Sequence, residues 1–117
     1  MSKINIRIKI NNEPFIIYQA IKINNKIIYN DNDCLVTLII KDNIVMTREN
    51  KDYLISLDFI NKQDSCGNCY LKKENFNTLL DIKTNSIIKD KTSLQIKYYI
   101  KTTKCKMHYE LEEINDN

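Results

Sequence analysis

A chain of 117 residues, 43% apolar and 28% charged, is sized for one domain around a single core. One glycine leaves no room for a phosphate-cradling loop, and no apolar run approaches the about 18 residues of a membrane helix. A net charge of +3 with only two arginines excludes a strongly basic nucleic-acid binder, and the 21 Ile, 16 Asn and 16 Lys drift toward the codons of an AT-rich genome.

The first element is written plainly. Residues 3–10 alternate without error, placing Ile4, Ile6, Ile8 and Ile10 on one face of an extended strand. Further strands are expected near 15–23, 26–30, 34–41, 43–49, 53–61, 69–74, 78–84 and 86–89. Two last runs alternate again: Leu94, Ile96, Tyr98 and Ile100, then Cys105, Met107, Tyr109 and Leu111. Apolar spacings of three and four, which a helix needs, are absent from these segments.

Between the strands stand Asn and Asp. Their side chains bond their own backbone and tolerate left-handed conformations, so they stand in for glycine in turns. Asn24-Asn25 and Asp42-Asn43 read as two-residue hairpin loops. Strands following one another without a long crossover imply an all-β fold, a single antiparallel up-and-down barrel or a sandwich, with about 8–10 strands. Closure into a barrel removes the two exposed edges of a long meander and is the expected arrangement. The domain is set at residues 1–113, with 114–117 as a frayed tail. The amino-terminal stretch lacks a continuous apolar leader, so a cytoplasmic location is expected. Thiols are therefore expected rather than disulfides.

One order of segments is distinctive. Tyr18-Gln19-Ala20-Ile21-Lys22 leads to Lys26-Ile27-Ile28-Tyr29-Asn30-Asp31 and Thr37-Leu38-Ile39-Ile40. Then come Ile44-Val45-Met46-Thr47-Arg48, Leu57-Asp58-Phe59, Leu80-Asp81-Ile82-Lys83-Thr84 and Leu94-Gln95-Ile96-Lys97-Tyr98. Over residues 17–112 this order resembles the YwiB-like family of small bacterial proteins. The resemblance implies a calycin-like, lipocalin-related barrel and no known active site. Members often carry Gly where this chain has Asn50 and Asn77.

Chemistry-bearing residues are few. Cys66 and Cys69 flank the lone Gly67 at CxxC spacing. They read as thiols of an exposed loop, with a metal site or a redox pair as alternatives. Cys105 and His108 complete a Cys₃His inventory, but residues three apart on one strand face opposite ways and cannot share an ion. Cys34 and Cys105 are expected in the core. His108, the only histidine, falls on a polar face with no triad partner in view. Asp31 with Asp33, and Glu112 with Glu113, fall at a turn and near the carboxyl end, not in an acid–base dyad.

Two residues are candidates for binding a ligand. Arg48 shares a face with Ile44 and Met46 and so points inward at a barrel end, as a cap or as the receiver of an anion. Tyr98 points inward with Leu94 and Ile96, and its hydroxyl needs a partner, from the protein or from a ligand.

The expectation is thus a non-enzymatic barrel, without cofactor or membrane contact, that holds a small apolar or amphipathic molecule. The rival is an interaction module using the Lys-rich region 61–106, which has ten lysines against four acids, for a protein or nucleic-acid partner.

Overall fold

The computed structural model describes residues 1–114. The alternating patterns become ten strands: β1 (Ser2–Ile10), β2 (Ile16–Ile23), β3 (Lys26–Asp31), β4 (Cys34–Ile40) and β5 (Ile44–Glu49). They continue as β6 (Tyr53–Phe59), β7 (Asp64–Leu71), β8 (Phe76–Lys89), β9 (Ser93–Ile100) and β10 (Cys105–Ile114). Each strand pairs antiparallel with its neighbours in sequence. The last pairs with the first, Ile10 opposite Tyr109 and Asn5 opposite Ile114, and closes an up-and-down barrel.

Asparagine does make several of the turns. Asn11, Asn24, Asn32 and Asn75 adopt positive φ, joined by Lys62 and Lys104. The Asn24-Asn25 loop has two residues, bracketed by the Ile23–Lys26 pair. The β4–β5 loop is longer than expected: Ile40 pairs with Ile44, which leaves residues 41–43 to turn the chain.

Inward-facing side chains fill the middle of the barrel. Ile6, Val36, Leu38, Ile44, Phe59, Ile82 and Ile96 have essentially no accessible surface. Close packing of such groups contributes the main stabilisation of the fold. The outer face is divided. On β1 and β10 it is charged, with Arg7 bonded to Glu112, whereas on β2–β5 it carries Ile21, Ile28, Ile39 and Val45.

Four expectations need correction. Residues 64–68 form part of β7 rather than a loop, so Cys66, Gly67 and Cys69 lie within one strand. Gly67 is buried there because it has no room for a side chain. A Cβ would stand 2.7 Å from the Ser56 carbonyl oxygen and 3.0 Å from Leu57 and Ile82 methyls. Residues 78–84 and 86–89 belong to a single strand, β8, with a bulge between Thr84 and Ser86 that reverses the phase of its faces. Cys105 has the inward phase but is exposed, because it is the first residue of β10 at the barrel's end. Ile114, assigned to the tail, pairs with Asn5; the rest of that tail, 115–117, lies outside the described residues.

Candidate functional site

Up-and-down winding gives the barrel two different rims. One carries the turns after β1, β3, β5, β7 and β9; the other carries those after β2, β4, β6 and β8. The inward-facing tyrosines and Arg48 collect at the first. Because partners in register share a face, Ala20, Tyr29, Val36 and Arg48 all point inward, and Tyr18, Asp31, Tyr98 and Tyr109 follow at even spacings along their strands.

The groups at this rim are hydrogen-bonded. Asp31 uses both oxygens: Oδ2 accepts from Arg48 Nη2 at 2.9 Å and Oδ1 from the Tyr18 hydroxyl at 3.0 Å. The hydroxyls of Tyr29 and Tyr109 meet at 2.7 Å, and the rings of Tyr18 and Tyr29 lie 4.9 Å apart. On the β4–β6 side, Cys34 Sγ lies 3.2 Å from the Tyr53 hydroxyl. Cys34 is buried, as expected.

Burial tunes these groups. It pushes the Tyr29 and Tyr98 hydroxyls up to about 12, and carries Tyr109 well above its ordinary value. Tyr18 is raised by burial and by its bond to Asp31. Burial works against the charge of Arg48, but the bond to Asp31 and its attraction outweigh that, and the guanidinium stays a firm cation. All these tyrosines are therefore neutral hydroxyls at physiological pH, beside one fixed positive charge.

Several donors at the rim remain uncommitted. Among the described residues, Asp31 is the one hydrogen-bond partner of Arg48, whose guanidinium has five N–H donors and whose side chain is 26% exposed. No described residue bonds the Tyr98 hydroxyl, although its ring packs 4.5 Å from that of Phe59. In the Tyr29–Tyr109 pair one hydroxyl donates, and the proton of the other is left over.

With this geometry in place, the chain can be set beside known proteins. It superposes on the crystal structure of the ywiB protein from Bacillus subtilis with a TM-score of 0.61, covering 97% of this chain and 91% of that one, at 11% identity. The chain has a YwiB-like fold. At that identity the likeness carries the barrel and not a site. No family model matches the sequence, and no curated protein matches it.

Within the YwiB-like barrel, Arg48 and Tyr98 occupy the same rim, close enough for the guanidinium's charge to act on the phenol, but no hydrogen bond joins them. Tyr18, Tyr29, Asp31 and Tyr109 were not legible as members of the site. Their even spacing with Ala20, Ile27 and Leu111 marks them as inward, but only strand register brings them to Arg48.

The other candidates disperse. Cys66 is exposed on the outer face of β7, whereas Cys69 has the inward phase of Gly67, opposite Ile55 and Thr78. The Cys66/Cys69 metal site is thereby corrected: its two thiols lie on opposite faces of one sheet. No cluster of three or more His, Cys, Asp or Glu side chains suited to a metal ion occurs among the described residues. His108 faces outward near Gln95 and Glu110, across β10 from Tyr109. The acidic pairs are engaged separately, Asp31 by Arg48, Glu112 by Arg7 and Glu113 by Lys22.

A cleft of about 150 Å³ lies at the opposite rim, between the β2–β3 loop and the β8–β9 turn. Cleft and tyrosine cluster thus stand at opposite ends. The polarised hydroxyls and fixed cation mark the tyrosine rim as the better candidate for specific recognition.

Proposed function

We infer that this is a binding barrel without catalytic activity, in which the tyrosine rim receives a small amphipathic molecule. The observation that carries the reading is the grouping of unused donors, on Arg48, Tyr98 and the Tyr29–Tyr109 pair, at one end of an apolar interior. A carboxylate, phosphate or carbonyl head suits the guanidinium, which offers paired N–H donors. The half-buried Ile10, Ile55, Ile100 and Met107 offer contact to an apolar part. The absence of catalysis is supported by the outward placement of His108, away from the neutral hydroxyls. The apolar interior is the reverse of the polar lumen of a membrane barrel and suits a ligand with an apolar part.

Native mass spectrometry of the protein isolated from its own host tests this. We expect a bound small molecule above the 13.9 kDa chain mass, lost in the double variant Arg48→Met/Asp31→Asn, which removes the ion pair without leaving a lone carboxylate. A ligand that stays bound to a folded double variant would reject the rim as its site.

One feature favours the rival reading of the Lys-rich region. On the outer face, Tyr99 pairs with Lys83 on one side and Lys106 on the other, and Lys97 pairs with His108 in the adjoining row. An aromatic ring between lysines suits a stacked base with flanking phosphates. Retention on immobilised single-stranded RNA that falls steeply with salt, and is lost in Tyr99→Ala/Lys106→Gln, is the expected result; no retention at low salt dismisses it.

A further inference from the structure

We propose that the cleft at the rim opposite the tyrosines binds a short-chain organic carboxylate, its charge beside Lys22 and its chain on Ile27, Leu94 and Leu111. This site is independent of the tyrosine rim. Its floor consists of inward residues of β3, β9 and β10, all nearly inaccessible. Its walls come from the Asn24-Asn25 loop and from Thr92 and Ser93.

The charges define the sign of the ligand. Among the described residues, three lysines line the cleft, Lys22, Lys89 and Lys91, against two acids, Asp90 and Glu113. Both acids are committed. Asp90 Oδ1 accepts from the backbone amides of Thr92 and Ser93, each at 2.9 Å, and so belongs to its own turn. Glu113 accepts from Lys22 Nζ at 2.8 Å. Lys89 donates to the Lys41 carbonyl, and Lys91 has no ion-pair partner among the described residues. The Lys22–Glu113 pair is also a template. It seats a carboxylate at the mouth of an apolar floor, with the glutamate side chain 16% exposed, and a ligand carboxylate would share or replace that contact.

Volume sets the size. A cleft of about 150 Å³ is well below the range of drug-sized pockets and suits an occupant of about six to eight heavy atoms. Four to six carbons with one carboxylate meet that limit.

Titration of the full chain with acetate, butyrate, hexanoate and inorganic phosphate, followed by backbone amide NMR, tests the assignment. Saturable shifts confined to Ile27, Thr92, Leu94 and Leu111 are expected. Hexanoate should bind at least about tenfold more tightly than acetate, because its extra methylenes cover the floor. Lys22→Met should weaken hexanoate binding about threefold to fivefold, the loss expected for a partly exposed cation, its side chain 37% exposed. Glu113→Gln should tighten it, by removing the competing internal carboxylate. Arg48→Met/Asp31→Asn, at the far rim, should leave it unchanged, which separates failure here from failure of the tyrosine-rim reading. Equal binding of acetate, hexanoate and phosphate, or shifts that never saturate, would overturn the proposal, because only loose surface charge would then be at work. So would Lys22→Met and Glu113→Gln variants that fold yet change affinity in the same direction. The ligand series on the unaltered chain needs no variant to fold.

Discussion

Tyr29 and Tyr109 join hydroxyl to hydroxyl at 2.7 Å, linking β3 to β10 across the inside of the barrel, 80 residues apart in sequence. This contact ties together strands that share no ladder. Burial of the tyrosines, rather than this bond, sets the alkaline limit of the fold. Tyr29 and Tyr98 have pKa values raised by burial from the ordinary 10.0 to about 12, so the folded chain holds their protons where the unfolded chain releases them. Their contribution is complete below pH 10 and is lost as pH rises toward 12, about 2–3 kcal/mol for each fully titrated group. Urea unfolding midpoints measured from below pH 10 up to pH 12 should fall steeply, in step with the tyrosinate absorbance. A flat midpoint across that interval would contradict the burial of these hydroxyls.

Two phenylalanine substitutions should separate partnered from unpartnered hydroxyls. Tyr29→Phe removes one half of a buried hydrogen bond and leaves the Tyr109 hydroxyl without a partner, a loss of about 1–2 kcal/mol. Tyr98→Phe deletes a hydroxyl that no described residue bonds and keeps the ring against Phe59, so stability should change by less than about 0.5 kcal/mol. Denaturant unfolding of the two variants at neutral pH checks the order. If Tyr98→Phe proved the more damaging of the two, its hydroxyl would have to be part of a network that the geometry does not contain.

Thr84 is fully buried, and its Oγ1 has no hydrogen-bond partner among the described residues. It sits just before the β8 bulge, facing inward opposite Tyr98. An unpaired buried hydroxyl costs about 1–3 kcal/mol relative to a satisfied one. Thr84→Val keeps the branched shape and removes the polar atom, so a gain of about 1 kcal/mol is expected. Thermal unfolding measures it; a loss would mean that the hydroxyl is satisfied by bound water.

The alternation of side chains carried most of the architecture, and specific residues show where it stopped. In 3–10 and 94–100 every inward residue was predicted from period two, because one buried face imposes that period directly. At Asn85 the period breaks, and the sequence reads as two strands, 78–84 and 86–89, because a bulge shifts phase without ending the ladder. Arg48 was legible because it shares a strand with Ile44 and Met46. Asp31 was not: it follows Asn30 and precedes Asn32-Asp33, so it looks like turn chemistry, and its meeting with Arg48 depends on pairing between β3, β4 and β5. Register of this kind is a property of the closed barrel, and no local pattern states it.

Gly67 was misread for a related reason. A glycine beside cysteines, asparagine and aspartate looks like a turn, yet its backbone has no positive φ. What it supplies is space. It stands in β7 between Leu57 and Leu80, on the inward face, where the next strand's Ser56 carbonyl comes too close for any Cβ. Of the three nearest contacts, the two methyls belong to flexible side chains and can retreat, but the 2.7 Å contact is to backbone and requires the β6–β7 ladder to shift. Gly67→Ala should therefore lower stability by about 1–3 kcal/mol, although alanine elsewhere in a strand would reduce the entropy cost of folding. Hydrogen exchange should show the loss concentrated in amides of β6 and β7, because the strain is applied at their ladder. If Gly67→Ala matched the stability of wild type, the approach of Ser56 to Gly67 would not be as close as the packing of this barrel requires.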